Sequence, residues 1–130
     1  MTADTLRNEL YLYDHDPTAR RLTNRRLLAK IDRGLPDGST RDAAGGIYNA
    51  RVAGGAAIAR LSGNGDLLAM IELPCTSPTS CAFGGPELAT LYVTSSRFGV
   101  SQAHLEQHPL EGGLFAIDEV GTGTLPFNFG

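Results

Sequence analysis

The sequence predicts an all-β fold built as a partial β-propeller. Short runs rich in Val, Ile, Tyr, Phe and Thr are separated at regular intervals by Gly, Pro, Asn and Asp, which is the pattern of strands joined by tight turns. Helical periodicity is almost absent. A unit that begins at Pro36 recurs from Pro78, and these prolines lie 42 positions apart. That spacing falls within the period of propeller blades, roughly 40–50 residues.

Each copy of the repeat holds four predicted strands, which is the number in one propeller blade. In both copies an opening segment precedes an Ile-Tyr or Leu-Tyr strand, a second apolar run and a third strand after a Gly-containing turn. The first copy contains the segment from Pro36 and strands at 47–50, 57–61 and 67–73, and the second contains the segment from Pro78 and strands at 91–94, 114–117 and 124–129.

The beginning of the chain supplies an incomplete copy, with predicted strands at 9–14 and 22–30. Tyr11 and Tyr13 alternate with Leu10 and Leu12, as in a strand with two distinct faces. Residues 1–130 therefore hold about three blades, whereas closed propellers have roughly four to eight. We expect that the ring does not close within this length, because of truncation, a split gene product or assembly from partial rings, and that open sheet edges need a covering polypeptide.

The composition of the chain restricts the classes of partner that it can be expected to bind. The net charge is -3 and the eleven Lys and Arg residues form no long block, so no nucleic-acid partner is expected. No membrane partner is expected either, because no window approaches roughly eighteen uninterrupted apolar residues. The first ten residues lack the pattern of a signal peptide, which predicts a cytoplasmic protein. Cys75 and Cys81 fit no redox or zinc motif and are predicted to be buried thiols.

One segment departs from the strand pattern. Residues 101–109 predict a short helix, with Ser101 as its N-cap and Pro109 as its stop. His104 and His108 stand four apart, the spacing of a helical metal pair. No third ligand completes that motif, so two solvated histidines are predicted.

Several motifs, in this order and spacing, resemble the family of senescence marker protein (regucalcin) and gluconolactonase. The similarity runs over nearly the whole chain and corresponds to the C-terminal portion of the family. It implies a six-bladed propeller that binds one divalent metal, calcium, zinc or manganese, and hydrolyses sugar lactones. The matching motifs are LPDG at 35–38, IYNA at 47–50, IELP at 71–74, PTSCAFGG at 78–85, TLYVTSSR at 90–97 and GGLF at 112–115.

Asp37 is the functional residue that the resemblance carries over. It matches the metal-binding aspartate of the family, which is also proposed to act as a general base. The chemistry agrees, because hard divalent cations prefer carboxylate oxygen and a nearby carboxylate can deprotonate water. An isolated Asp37-Gly38 pair would otherwise indicate an ordinary turn.

The resemblance also implies that the active site is incomplete. The family's glutamate and asparagine ligands have no counterpart in this sequence, and one carboxylate holds calcium poorly because calcium takes roughly six to eight oxygens. We therefore expect weak metal binding and no useful lactonase activity from this chain alone. Thr79, Ser80 and Cys81 are expected on a crowded inner strand. Arg41 stands where the family is usually aliphatic, and Tyr48 where tryptophan is common.

Three functions stay open. The first is a metal-dependent sugar-lactone hydrolase whose N-terminal half is missing from this sequence or supplied by another chain. The second is a non-catalytic or degenerate propeller fragment. The third is a half-ring that forms a homodimer and so closes a six-bladed propeller through twofold symmetry.

Overall fold

The computed structural model describes residues 1–125, which form ten strands and one short α-helix. Two single 3-10 turns, Thr5–Arg7 and Pro86–Leu88, interrupt the strand order. The helix is α1 (Gln102–Gln107). The strands are β1 (Thr2–Asp4), β2 (Glu9–Asp16), β3 (Arg21–Lys30), β4 (Leu35–Arg41), β5 (Ile47–Val52), β6 (Ala57–Leu61), β7 (Leu67–Glu72), β8 (Pro78–Gly84), β9 (Thr90–Ser95) and β10 (Leu114–Asp118).

The strands form three antiparallel sheets in chain order, as expected for a partial propeller. The first sheet is β1-β2-β3, the middle sheet is β4-β5-β6-β7, and the third sheet is β8-β9-β10. The middle sheet is the complete four-stranded blade that the repeat predicts, and the first sheet is incomplete as predicted. The all-β prediction is confirmed.

The predicted strand at 124–129 is the exception. Thr124 and Leu125 are not in a strand, and residues 126–130 lie outside the described residues. Gly123 instead forms an isolated antiparallel bridge with Asp42, at the turn between β4 and β5. Over the part of the chain described, the third sheet therefore has three strands.

The middle and third sheets pack face to face. Side chains alternate along β5, so one face of this strand points towards the third sheet. Tyr48 and Ala50 point towards the third sheet, whereas Ile47 joins the core on the other side. Ile71, Leu73, Phe83, Phe115, Ile117 and Val120 pack around this core. The buried residues are Tyr48, Ala50, Ile58, Cys81, Leu91 and Val93.

The first and middle sheets share a second, smaller core. It consists of Leu10 and Ile31 from the first sheet against Ile47, Ala59 and Leu61 from the middle sheet. Fewer apolar residues pack in this core than in the one around Tyr48. Hydrophobic burial on both faces of the middle sheet therefore holds the three sheets side by side.

Strand β4 is the meeting point of the three sheets. It contacts β8, the first strand of the third sheet, and also β1. Both copies of the repeat begin at this meeting point, since Pro36 lies in β4 and Pro78 in β8. The LPDG and PTSCAFGG motifs therefore lie where β4 and β8 contact each other.

The segment after β10 returns to the middle sheet. The Ala43 N–H donates to the Thr122 carbonyl at 2.8 Å, and the Gly123 N–H donates to the Leu88 carbonyl at 2.9 Å. The buried Tyr48 hydroxyl donates to the carbonyl of Val120. A tyrosine at this position therefore joins the middle sheet to the segment that follows the third.

Helix α1 begins after Ser101, whose hydroxyl accepts a hydrogen bond from the His104 N–H at 3.3 Å. The predicted N-cap is thereby confirmed. Among residues 1–125, no helix is long and apolar enough to span a membrane.

Candidate functional site

Asp37 lies half-buried in β4, within a β-bulge. Pro36 pairs with Arg51 and Ser39 pairs with Asn49, so Asp37 and Gly38 together oppose a single residue of β5. A bulge leaves local backbone groups unpaired, and bulges are over-represented next to active sites. The Asp-Gly dipeptide is therefore a bulge inside a strand, not a turn between strands.

Side chains from two sheets hold the backbone around this bulge. The Thr5 hydroxyl of the first sheet donates to the Pro36 carbonyl at 2.9 Å. Asn49 Nδ2 donates to the Asp37 carbonyl at 2.9 Å and to Ser39 Oγ at 2.8 Å. Since Asn49 is fully buried, its amide satisfies the carbonyl that the bulge leaves unpaired.

The third sheet closes the other side of the bulge. A Cβ atom added to Gly38 would lie 2.8 Å from Ser80 Cα, closer than real Cβ contacts. Glycine is required here because the backbones of β4 and β8 approach too closely for any side chain. The prediction of small residues on a crowded inner strand is confirmed at Ser80.

Asp37 is a single carboxylate in this part of the molecule. The described residues contain no group of three or more His, Cys, Asp or Glu side chains that could hold a metal ion. Calcium needs roughly six to eight oxygen ligands. The residues present therefore do not fit a complete divalent-metal site, although Asp37 supplies one ligand of the right chemical type.

A second polar cluster surrounds Glu111, which is 1% exposed. Its carboxylate accepts from the Thr76 N–H at 3.0 Å and lies 3.1 Å from His104 Nε2. Burial alone would raise the pKa of Glu111, but the hydrogen bonds from Thr76 and His104 outweigh it and lower the pKa. The charged carboxylate therefore anchors α1 to the loop before β8.

The prediction of two solvated histidines is wrong for His104. Its side chain is half-buried and hydrogen-bonded to Glu111, whereas His108 is exposed as predicted. The two rings stack with centroids 4.2 Å apart. Sequence spacing identified the pair but not Glu111, which only the fold brings beneath the helix.

Both cysteines are buried free thiols, as predicted. Burial raises the pKa of Cys81 to about 12, which disfavours a nucleophilic thiolate. Arg97 donates from Nε to the Glu111 carbonyl at 2.7 Å and so pairs with a loop, while Arg41 is exposed. These side chains serve packing and loop structure.

Comparison with known proteins identifies the family. The model of the SMP-30/Gluconolactonase/LRE-like region matches residues 1–97. The chain belongs to this family. Its sequence is 42% identical over 118 residues to the 6-deoxy-6-sulfogluconolactonase of Pseudomonas putida, covering 88% of this chain and 40% of that protein. It is 34% identical over 129 residues to Xenopus laevis regucalcin, and this match covers 97% of this chain and 43% of that protein.

The fold agrees with this membership. A solved structure of a calcium-binding protein, regucalcin, from Agrobacterium tumefaciens superposes with a TM-score of 0.84 at 30% identity. The superposition covers 97% of this chain and 44% of that one. The chain thus spans about two fifths of the length of the relatives that it matches.

Asn49 is the residue of the candidate site that the sequence did not reveal. In the run IYNA it stands at an ordinary strand position, between buried Tyr48 and Ala50. A polar residue inside an otherwise apolar strand was the available signal, because a buried amide needs a specific partner. Its partner, the Asp37 carbonyl, lies twelve positions earlier.

Proposed function

We propose that this chain forms part of a metal-dependent sugar-lactone hydrolase. In this proposal Asp37 would be a ligand of the metal and the general base for the attacking water. Family membership supports the class of reaction. The bulge that fixes Asp37 at the meeting point of three sheets is the observation that carries the residue assignment. Further oxygen donors have to come from outside the described residues.

The chemical role of Asp37 follows from its carboxylate. Hydrolysis of a lactone adds water to the ester carbonyl, breaks the ring C–O bond and yields a hydroxy acid. A carboxylate within hydrogen-bond reach of the water can accept its proton as the water attacks. The contacts from Thr5, Asn49 and Ser80 hold the backbone that carries this carboxylate, and positioning contributes a large part of the rate.

Lactone hydrolysis in the presence of calcium, zinc or manganese tests the proposal. We expect no useful activity from residues 1–130 alone, and activity when the part of the family's length that this chain does not span is also supplied. In the active form, Asp37→Ala should abolish hydrolysis, whereas Asp66→Ala, in the exposed turn after β6, should leave it unchanged. An active Asp37→Ala enzyme would refute the role of Asp37.

Metal binding is measured separately by calorimetry. We expect residues 1–130 alone to bind calcium, zinc or manganese weakly, because the one assigned ligand leaves most oxygen positions to water. Tight, stoichiometric binding by the isolated chain would contradict the view that its site is incomplete.

A homodimer of half-rings is a second proposal, and the outer face of the third sheet favours it. Leu114 is 68% exposed and Tyr92 39% exposed on that face, next to exposed Ala82 and Ala116. A twofold assembly could cover this apolar face and complete the ring. A monodisperse dimer in light scattering would support ring closure by two copies, and a stable monomer would eliminate it.

A non-catalytic fragment is the remaining alternative. It predicts a folded monomer whose stability does not respond to divalent metals, and a longer chain without lactonase activity. The hydrogen bonds of buried Asn49 stabilise the bulge whether or not Asp37 is catalytic, so the activity of the longer chain decides between the two proposals.

A further inference from the structure

A cleft of about 330 Å³ lies between the first and middle sheets, and Asp37 is not one of its lining residues. Most of its exposed wall is apolar, and Ile31, Leu61 and Met70 belong to or border the core between the two sheets. Its size is at the lower end of ligand pockets, which range over roughly 300–1,000 Å³. The lining residues are Ala29, Lys30, Ile31, Asp32, Arg33, Arg51, Leu61, Gly65, Leu67 and Met70.

Arg51 is the unusual member of this lining, because it is 3% exposed yet incompletely paired. Its Nε and Nη1 atoms are shielded from solvent and have no hydrogen-bond partner within residues 1–125. Burial lowers the pKa of Arg51 to about 10, and the charge of Asp32 opposes that shift. The guanidinium is therefore still a cation at neutral pH, and a buried cation without hydrogen bonds is strongly unfavourable.

The other charges of the cleft leave it positive. Arg33 is neutralised by Glu72, to which it donates two hydrogen bonds of 2.6 and 2.7 Å. Lys30 and Arg51 then face one carboxylate, Asp32, which forms no ion pair within 4 Å in the described structure. One positive charge remains uncompensated, which suits a monovalent anion.

The strand register gives the cleft a direction. Arg51 pairs with Ala57 at one end of β5 and β6, whereas Ile47 pairs with Leu61 at the other. Four residues of strand separate these ends, about 13 Å. The cationic end at Arg51 and the apolar end at Leu61 and Leu67 therefore stand apart, as the two halves of an amphipathic ligand do. Met70 pairs with Ala59 and lies between the two ends, about 7 Å along the strand from the level of Arg51.

We propose that this cleft is a binding site for a short aliphatic carboxylate, with the carboxylate at Arg51 and the hydrocarbon chain along Ile31 and Met70, directed towards Leu61. A guanidinium and a carboxylate form paired, charge-assisted hydrogen bonds, and this geometry would satisfy the unpartnered donors of Arg51 after a small side-chain adjustment. The site is separate from Asp37 and does not depend on lactonase activity.

Thermal unfolding and calorimetry with sodium hexanoate test this site. At constant ionic strength, hexanoate should raise the Tm of the wild-type chain, whereas chloride and uncharged hexanol should raise it much less. Arg51→Met keeps the length of the side chain but removes its charge, and it should weaken hexanoate binding at least about tenfold. Arg25→Met removes a cation from exposed β3 and should bind hexanoate like the wild type.

Three results would overturn the proposal. They are a wild-type Tm that hexanoate does not change, an equal effect of hexanol, and unchanged hexanoate binding by Arg51→Met. If Arg51→Met does not fold, Arg51→Lys provides the comparison, because it retains the charge but loses the planar pair of donors. Undiminished binding by that variant would equally exclude a guanidinium–carboxylate contact.

Discussion

The bulge at Asp37 shows how one buried amide can organise a site. Asn49 donates to the Asp37 carbonyl and to the Ser39 side chain, so it links the two residues that flank Gly38. Asp37 was assigned through the resemblance of the LPDG motif to the family, since the Asp-Gly pair alone indicates a turn. Asn49 was not predictable in the same way, because its role depends on the register between β4 and β5.

Replacing Asn49 by alanine should lower the free energy of unfolding by about 1–3 kcal/mol, because a buried carbonyl loses its donor. Urea unfolding measures this difference. Asn64→Ala is the matched control, since Asn64 is exposed in the turn after β6 and should change stability by less than about 0.5 kcal/mol. Equal losses in the two variants would show that the Asn49 hydrogen bonds contribute little.

Gly38→Ala should also destabilise the fold, by about 1–3 kcal/mol, because the added Cβ would overlap the backbone of Ser80. The loss should appear in the urea midpoint. Gly63→Ala places its Cβ 3.4 Å from the Gly45 carbonyl, an ordinary contact, and should be close to neutral. A neutral Gly38→Ala variant would mean that β4 and β8 are less tightly apposed than described.

At the scale of elements, helix α1 and its N-cap were predictable because Ser101 and Pro109 are local signals. The surroundings of the helix were not. Glu111 reaches Thr76, 35 positions earlier, and no local pattern encodes that contact. The sequence alone therefore predicts that the polar residues of such a helix are solvated, because the loop that they contact is not encoded locally.

The pKa of Glu111 makes the attachment of α1 sensitive to acid. Because this pKa is lower in the folded chain than in the unfolded chain, the unfolded state binds the proton more readily. The stabilisation is fully present above the ordinary pKa of a glutamate and is lost as the pH falls through the folded value. Glu111→Gln, which does not titrate, should lose less stability than the wild type between pH 7 and about pH 3.

Urea unfolding at several pH values measures how steeply the free energy of unfolding falls as the pH is lowered. Glu106→Gln is the control, because Glu106 is exposed on the same helix and contacts neither Thr76 nor His104 in the described structure. The Glu106→Gln variant should lose as much stability as the wild type between pH 7 and about pH 3. A Glu111→Gln slope equal to that of the wild type would show that other carboxylates dominate the acid response.

At the scale of the whole molecule, the sequence repeat predicted the architecture because each blade has the same strand order and opening motif. It also predicted that the first sheet is incomplete. The return of residues 120–123 to the middle sheet was not predictable, because these residues contain no apolar alternation and follow a Gly-rich pattern that indicates turns.

The half-ring proposal yields a prediction at this scale. Leu114→Lys places a charge on the exposed face of the third sheet and should shift a homodimer towards monomer in light scattering. Leu6→Lys is the control, because Leu6 is 94% exposed in the turn after β1. A dimer that both variants leave intact would have to use another surface.

The return of residues 120–123 has a consequence for how the protein is made. These residues leave the ribosome after β10, yet Tyr48, Asp42 and Leu88 bond to them. During synthesis, the middle sheet can form before residues 120–123 are available to bond to it and to Leu88 beside the third sheet. Released chains truncated before Val120 should therefore be digested by protease in the third sheet first, and chains that include residues 120–123 should resist it.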